Sequence, residues 1–106
     1  MKYEVIWSAF SEQQIDDIFN YYEQTSKSYQ IALKIITNIL LAPDKLRHYP
    51  RIGQKEFLLE HHHIEYYYIV ESNYKIVYSI DDENGYIKIA DVFDTRQNPE
   101  KINRKK

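Results

Sequence analysis

Two amphipathic helical stripes stand back to back in this sequence, and neither is able to bury the other completely. Ile15, Ile18, Phe19 and Tyr22 recur at i, i+3, i+4 and i+7, and beyond the short polar break Thr25-Ser26-Lys27-Ser28 the same spacing returns in Ala32, Ile35, Ile36, Ile39 and Leu40, until Pro43 forbids continuation. The first helix is expected from about Ser11 to Thr25, with Ser11 and Gln14 at capping-box spacing. So brief a link makes the helices pack antiparallel, and their remaining apolar surface needs a sheet to cover. Ile15, Ile18, Phe19, Ala32, Ile35, Ile36 and Ile39 are the expected buried set.

The rest of the chain supplies the strands. Tyr3, Val5 and Trp7 alternate with Lys2, Glu4 and Ser8, the period of a strand with one buried face. After the Leu46 to Gly53 connector, punctuated by Pro50 and Gly53, three runs follow: Glu56 to Glu60, Glu65 to Glu71 and Tyr74 to Asp81. The last two flank Ser72-Asn73, a two-residue turn in which asparagine is suited to positive φ. Tyr74, Ile76, Tyr78 and Ile80 share one face, and the polar loop Asp81 to Gly85 leads into a final strand from Tyr86 to Asp94. The Lys101 to Lys106 tail reads as a charged, frayed end. The order β-α-α-β-β-β predicts an α+β fold, a helical hairpin packed on a mostly antiparallel twisted sheet whose other face is partly open, in a single domain over residues 1–106.

Composition removes several chemistries. The chain has no cysteine, so disulfides, thiolate metal sites and cysteine nucleophiles are excluded. Its two glycines, Gly53 and Gly85, cannot form a Gly-rich phosphate loop, and no nucleophile elbow is present. No segment approaches the roughly 20 apolar residues of a membrane span, which gives a cytoplasmic expectation without membrane contact. With a formal net charge of −2, any nucleic-acid role has to rest on a local patch. The eleven tyrosines suit half-buried positions on a pleated sheet better than base stacking.

The element order, the opening Tyr3 to Ser8, the connector Leu46-Arg47-His48-Tyr49-Pro50-Arg51-Ile52-Gly53, the strand Tyr74 to Tyr78 and above all the ending Asp91-Val92-Phe93-Asp94-Thr95-Arg96-Gln97-Asn98-Pro99 together resemble the RelE/ParE superfamily of toxins. The resemblance implies the toxin of a bacterial type II toxin–antitoxin (plasmid stabilisation or growth control) module, neutralised by a cognate antitoxin protein. It implies either of two activities: ribosome-dependent, metal-independent cleavage of messenger RNA, or poisoning of DNA gyrase without nuclease chemistry. The alternative is a non-toxic member acting only as a protein-binding partner or co-repressor. No cofactor is called for in any of these.

Nuclease members position a 2′-hydroxyl against the adjacent phosphate with cations and an acid–base group. The residues here that would fill those roles are Arg96, Lys75, Lys55 and His63, with Arg96 expected at a strand end facing the open sheet and the lysines joining it if strand order brings them together. Where the resembling strand often carries arginine, this chain has Tyr67, and Lys75 offers a point charge in place of a bidentate fork. The chain also lacks a terminal histidine–tyrosine pair. Arg96, Gln97, Asn98 and Tyr67 are the candidates for contact with antitoxin or target. His61-His62-His63 alternate in direction and so cannot converge on one metal as i, i+4 helical histidines do, which makes an exposed loop the simpler reading and gives no expectation of a metal site. Tyr66 and Tyr68 should lie opposite Tyr67.

Overall fold

The computed structural model describes residues 2–59, 63–97 and 101–102. Strand β1 (Glu4–Trp7) leads into helices α1 (Ala9–Ser26) and α2 (Tyr29–Leu41), a 3₁₀ helix (Ala42–Arg47), and strands β2 (Gln54–Lys55), β3 (Tyr67–Glu71), β4 (Tyr74–Asp81) and β5 (Tyr86–Asp94). The sheet order is β1-β5-β4-β3-β2, with β1 parallel to β5 and every other pair antiparallel. The expected α+β architecture is what forms, with β1 closing the sheet beside the last strand.

α1 starts earlier than Ser11. Ser8 is the N-cap: its Oγ accepts from the Ser11 backbone N–H at 3.0 Å, and the Ser11 hydroxyl donates to the Ser8 carbonyl at 2.8 Å. Ser11 is therefore fully buried inside the first turn, its hydroxyl also 3.3 Å from the Ile89 carbonyl of β5. The link to α2 turns on Lys27 in the left-handed region, φ 57°, and Ser28 caps α2 by accepting from the Ile31 N–H at 3.3 Å.

The helices pack on the face of β4 that carries Tyr74, Ile76 and Tyr78, where Ile15, Ile18, Ile39, Leu46, Ile87, Ile89 and Val92 complete the core. Ala32 is buried too, but Phe19, Ile35 and Ile36 are only half-buried, because they stand on the flanks of their stripes. Ile89 and Val92 reach the same face three residues apart because β5 is bulged: Val77 pairs with Asp91 and Tyr78 with Ile89, leaving Ala90 between them unpaired.

The other face of the sheet is less open than its sequence suggests. Leu59, Val77, Phe93 and Ile102 form a second cluster there, flanked by Tyr66 and Tyr68. Ile102 is fully buried, so at least Lys101-Ile102 belongs to the fold and not to a frayed end. As expected from alternation, Tyr67 sits on the helix side, opposite its two neighbours.

Two further expectations change. The run beginning at Glu56 is not a strand: pairing stops at Lys55, and Phe57–Leu59 forms a 3₁₀ turn, because the Glu56 carboxylate accepts from the Leu58 N–H at 3.2 Å and the Leu59 N–H bonds the Glu56 carbonyl. Pairing on the next strand begins at Tyr67 and not at Glu65. In the β3–β4 turn the positive φ falls on Ser72, at 57°, while the Asn73 amide bonds Asp94 Oδ1 at 3.2 Å and its carbonyl accepts from Thr95. Asn73 thus ties the turn to the end of β5 instead of relieving backbone strain.

The connector is fastened to the sheet by Tyr78. This fully buried ring stacks on Tyr67 at 5.7 Å, and its hydroxyl donates to the Pro50 carbonyl at 2.7 Å and accepts from the Gly53 N–H at 3.2 Å. Burial pushes the phenol up to about 12. Gly53 is required by close approach, since a Cβ there would stand 2.4 Å from that hydroxyl and 2.8 Å from the Tyr68 carbonyl. Tyr78→Phe should destabilise the domain by about 1–3 kcal/mol, the cost of leaving a half-buried carbonyl and N–H without their partner. Gly53→Ala should destabilise it as well, with both effects read from urea midpoints at unchanged m-value; a neutral Tyr78→Phe would remove the hydroxyl from the account.

Candidate functional site

Arg96 lies just beyond β5, and the direction of its neighbour Asp94 decides where it can act. Asp94 pairs with Tyr74, so it shares the helix-facing side of the sheet, not the open one. Arg96 Nε and Nη2 donate to the two Asp94 oxygens at 3.0 and 2.8 Å, and its backbone N–H adds a third bond to Oδ1 at 2.9 Å. The guanidinium holds the Asp94 carboxyl below the usual carboxylate range, and the carboxylate holds the arginine charged. Because the folded value is depressed, this pairing contributes stability above the ordinary carboxylate range and loses it as pH falls through the lowered value.

Arg96 and Gln97 stand at the mouth of a cleft of about 380 Å³ between α1 and the sheet, with Ile18, Tyr74 and Val92 deeper inside. The wall toward α1 carries Gln14, Asp17 and Tyr21. Tyr74 is nearly buried, its hydroxyl 3.3 Å from that of Tyr22, and desolvation, followed by this contact, raises its pKa. Asn98 lies outside the described residues, as do His61 and His62.

The other cations are held elsewhere. Lys75 points to the opposite face, where its ammonium sits 2.8 Å from Glu56 and 4.3 Å from the centre of the Tyr68 ring. Glu56 is 4% exposed, so Lys75 balances a buried carboxylate. Lys55, at the sheet's far edge, pairs with Glu65 at 2.9 Å in the open. His63 is exposed and shares a hollow of about 220 Å³ with Lys55, Phe57 and Tyr66. Tyr67 is engaged by its stack on Tyr78 and by a hydroxyl bond to Glu65, which raises the phenol and lowers the carboxyl. The strand order therefore brings Lys55 and His63 to one hollow, which the Lys75 partner Glu56 also lines, and joins none of them to Arg96.

Sequence reading missed one charged constellation. Arg51 clamps Asp82 through both guanidinium termini, at 2.6 and 3.3 Å, and the Tyr3 hydroxyl adds a 2.6 Å bond to the same carboxylate, which lowers the Asp82 pKa. Tyr3 precedes β1, Arg51 lies in the connector and Asp82 in the β4–β5 loop, and no local spacing relates them.

The two lysines should part in their effect on stability. Lys75→Ala leaves the Glu56 carboxylate buried without its counter-ion and should cost about 3–5 kcal/mol by chemical denaturation. Lys55→Ala removes one exposed pair and should leave the midpoint where it was. Equal effects would refute the distinction.

A family model described as the ParE toxin of a type II toxin–antitoxin system, parDE, matches residues 5–99. Among solved structures, one titled "Chromosomal ParDE TA system from P. aeruginosa" superposes with a TM-score of 0.69 at 13% identity, covering 86% of this chain and 94% of that one, a likeness of fold. No curated protein sequence matches. With its helical hairpin on a five-stranded sheet and a family match running from β1 to beyond Arg96, the chain belongs to the ParE toxin family.

Proposed function

We propose that the chain is the growth-inhibiting member of a toxin–antitoxin pair, held inactive by a cognate antitoxin, and that it acts by binding DNA gyrase and not by cutting messenger RNA on the ribosome. Family membership supports the first part. The observation that carries the second is the separation of the cations: Lys55, Lys75 and Arg96 each rest on a different carboxylate, and Arg96, in the cleft beside α1, is apart from the hollow lined by Lys55, His63 and the Lys75 partner Glu56. Metal-independent RNA cleavage needs positive charge converging on one phosphate beside an acid–base group. A binding poison has no such requirement.

Arg96 and Gln97 are the proposed contacts. Asp94 fixes the guanidinium in one orientation while leaving the side chain 58% exposed, so a preorganised fork is offered to a phosphate or carboxylate of the target, or to an acidic side chain of the antitoxin. The cleft beneath gives an incoming side chain an apolar floor in Ile18 and Val92.

Induced expression with pulse labelling should halt DNA synthesis before RNA or protein synthesis, and the purified chain should inhibit gyrase supercoiling. Arg96→Ala, at equal soluble level and unchanged circular dichroism, should weaken that inhibition about 10-fold or more. Cleavage of messenger RNA on ribosomes by the purified chain would overturn the gyrase reading. Absence of any growth arrest would return the chain to a non-toxic binding partner or co-repressor.

A further inference from the structure

The turn between β3 and β4 carries a residue that its backbone does not call for. In a two-residue hairpin turn a central position with positive φ favours glycine or asparagine, and here that position is Ser72. Asn73, the other central residue, has negative φ, which an ordinary side chain adopts without strain. What Asn73 supplies instead is its amide, which donates to Asp94 Oδ1 at 3.2 Å, while its backbone carbonyl accepts from both the N–H and the hydroxyl of Thr95 at 2.8 Å. The carbonyl alone fastens the turn to the end of β5. The amide adds a bond to the carboxylate on which Arg96 rests.

Arg96 stands beyond the last strand on a long, exposed side chain, and a carboxylate two residues away would swing with it unless something else held that carboxylate. Asp94 is held. Its Oδ1 takes the Asn73 amide besides the Nε and backbone N–H of Arg96, and its Oδ2 takes Arg96 Nη2. From α1, the Tyr22 hydroxyl lies close enough to the guanidinium to favour its charge. That hydroxyl is fixed in turn, 3.3 Å from the hydroxyl of the nearly buried Tyr74, with the Tyr21 ring edge to face against Tyr22 at 5.0 Å. The fork is therefore gripped from the sheet by Asp94 and from the helix by Tyr22.

We propose that Asn73 and Tyr22 are positioning residues, each of which fixes Arg96 in the orientation that meets the target without touching the target itself. The inference rests on the reading of Arg96 as a gyrase contact, and it extends that site to the β3–β4 turn and to α1. A fork held before encounter loses less freedom on docking, so the supporting bonds contribute to affinity although they stay within the chain. A residue that acts only through Arg96 has nothing left to do once Arg96 is gone. One that supports the fold, or makes a contact of its own, costs the same with or without Arg96.

The test measures inhibition of gyrase supercoiling by the purified full chain as wild type, Asn73→Ala, Tyr22→Phe, Arg96→Ala and the two double variants that include Arg96→Ala. Asn73→Ala and Tyr22→Phe should each weaken inhibition about 3- to 10-fold at unchanged circular dichroism, and neither should cost anything more on the Arg96→Ala background. Nuclear magnetic resonance supplies a readout that a structural role would not move: in both single variants the Arg96 Nε–H should exchange faster with water. Arg96 first, and the Asn73 amide after it, hold the Asp94 carboxyl below its ordinary range, so Asn73→Ala should also move the Asp94 titration to higher pH. A single variant that inhibits like the wild type, or whose loss adds to that of Arg96→Ala, overturns the assignment of that residue. Full inhibition by Arg96→Ala would overturn the inference together with the Arg96 contact. A wild type that inhibits no supercoiling removes the gyrase reading by itself, and the exchange rates then decide the positioning, which rates unmoved in both variants refute.

Discussion

The hydroxyl of Tyr78 is the contact on which the rest of the arrangement turns. The ring is fully buried in the middle of β4, and the polar tip reaches through the edge of the core to hold both Pro50 and Gly53. A buried phenol must satisfy its oxygen, and a connector without regular structure must satisfy its own backbone. One side chain does both. The fastened connector then delivers Gln54–Lys55 to the edge of β3 and places Arg51 against Asp82. That anchor and the Arg51–Asp82 clamp together hold residues 48–53 along the sheet.

The sheet separates two kinds of charge. On the helix side, Asp94 and Arg96 meet at the rim of a cleft and remain accessible. On the other side, Lys75 is enlisted to neutralise a carboxylate that the fold has buried, with a tyrosine ring beneath the ammonium. A cation in the second setting is committed to stability, because releasing it would strand Glu56. Proximity in sequence says nothing about this division. Lys75 and Arg96 project from opposite faces because of side-chain parity on β4 and the turn beyond β5, and Ile102 adds cover to the face that alternation alone would leave open.

The candidate site was legible residue by residue and not as a constellation. Arg96 and Gln97 do border a cleft, and Lys55 and His63 do share a hollow. The carboxylate that Lys75 would choose could not be read, since Glu56 is nineteen residues away, whereas Asp94 is only two from Arg96. Arg96 faces the helices because its neighbour Asp94 does, and Asp94 does because β5 carries a bulge at Ala90. An inserted residue flips every side chain after it, and strict alternation through Ile87, Ile89, Asp91 and Phe93 gives no sign of it.

The sequence by itself determined the elements and their order. The stripes from Ile15 to Tyr22 and from Ala32 to Ile39 have one helical period, Tyr74 to Ile80 has the period of a strand, and each period admits one way of hiding its apolar side. Those are local properties, set by backbone geometry within a few residues. Tertiary structure alone decided the bulge, the Ser8 cap drawn against β5, the Arg51–Asp82–Tyr3 clamp and the burial of Glu56 with Lys75. Each of these depends on which distant group arrives opposite, and the free energy of a buried charge or a shared carboxylate is defined only once that neighbour is in place.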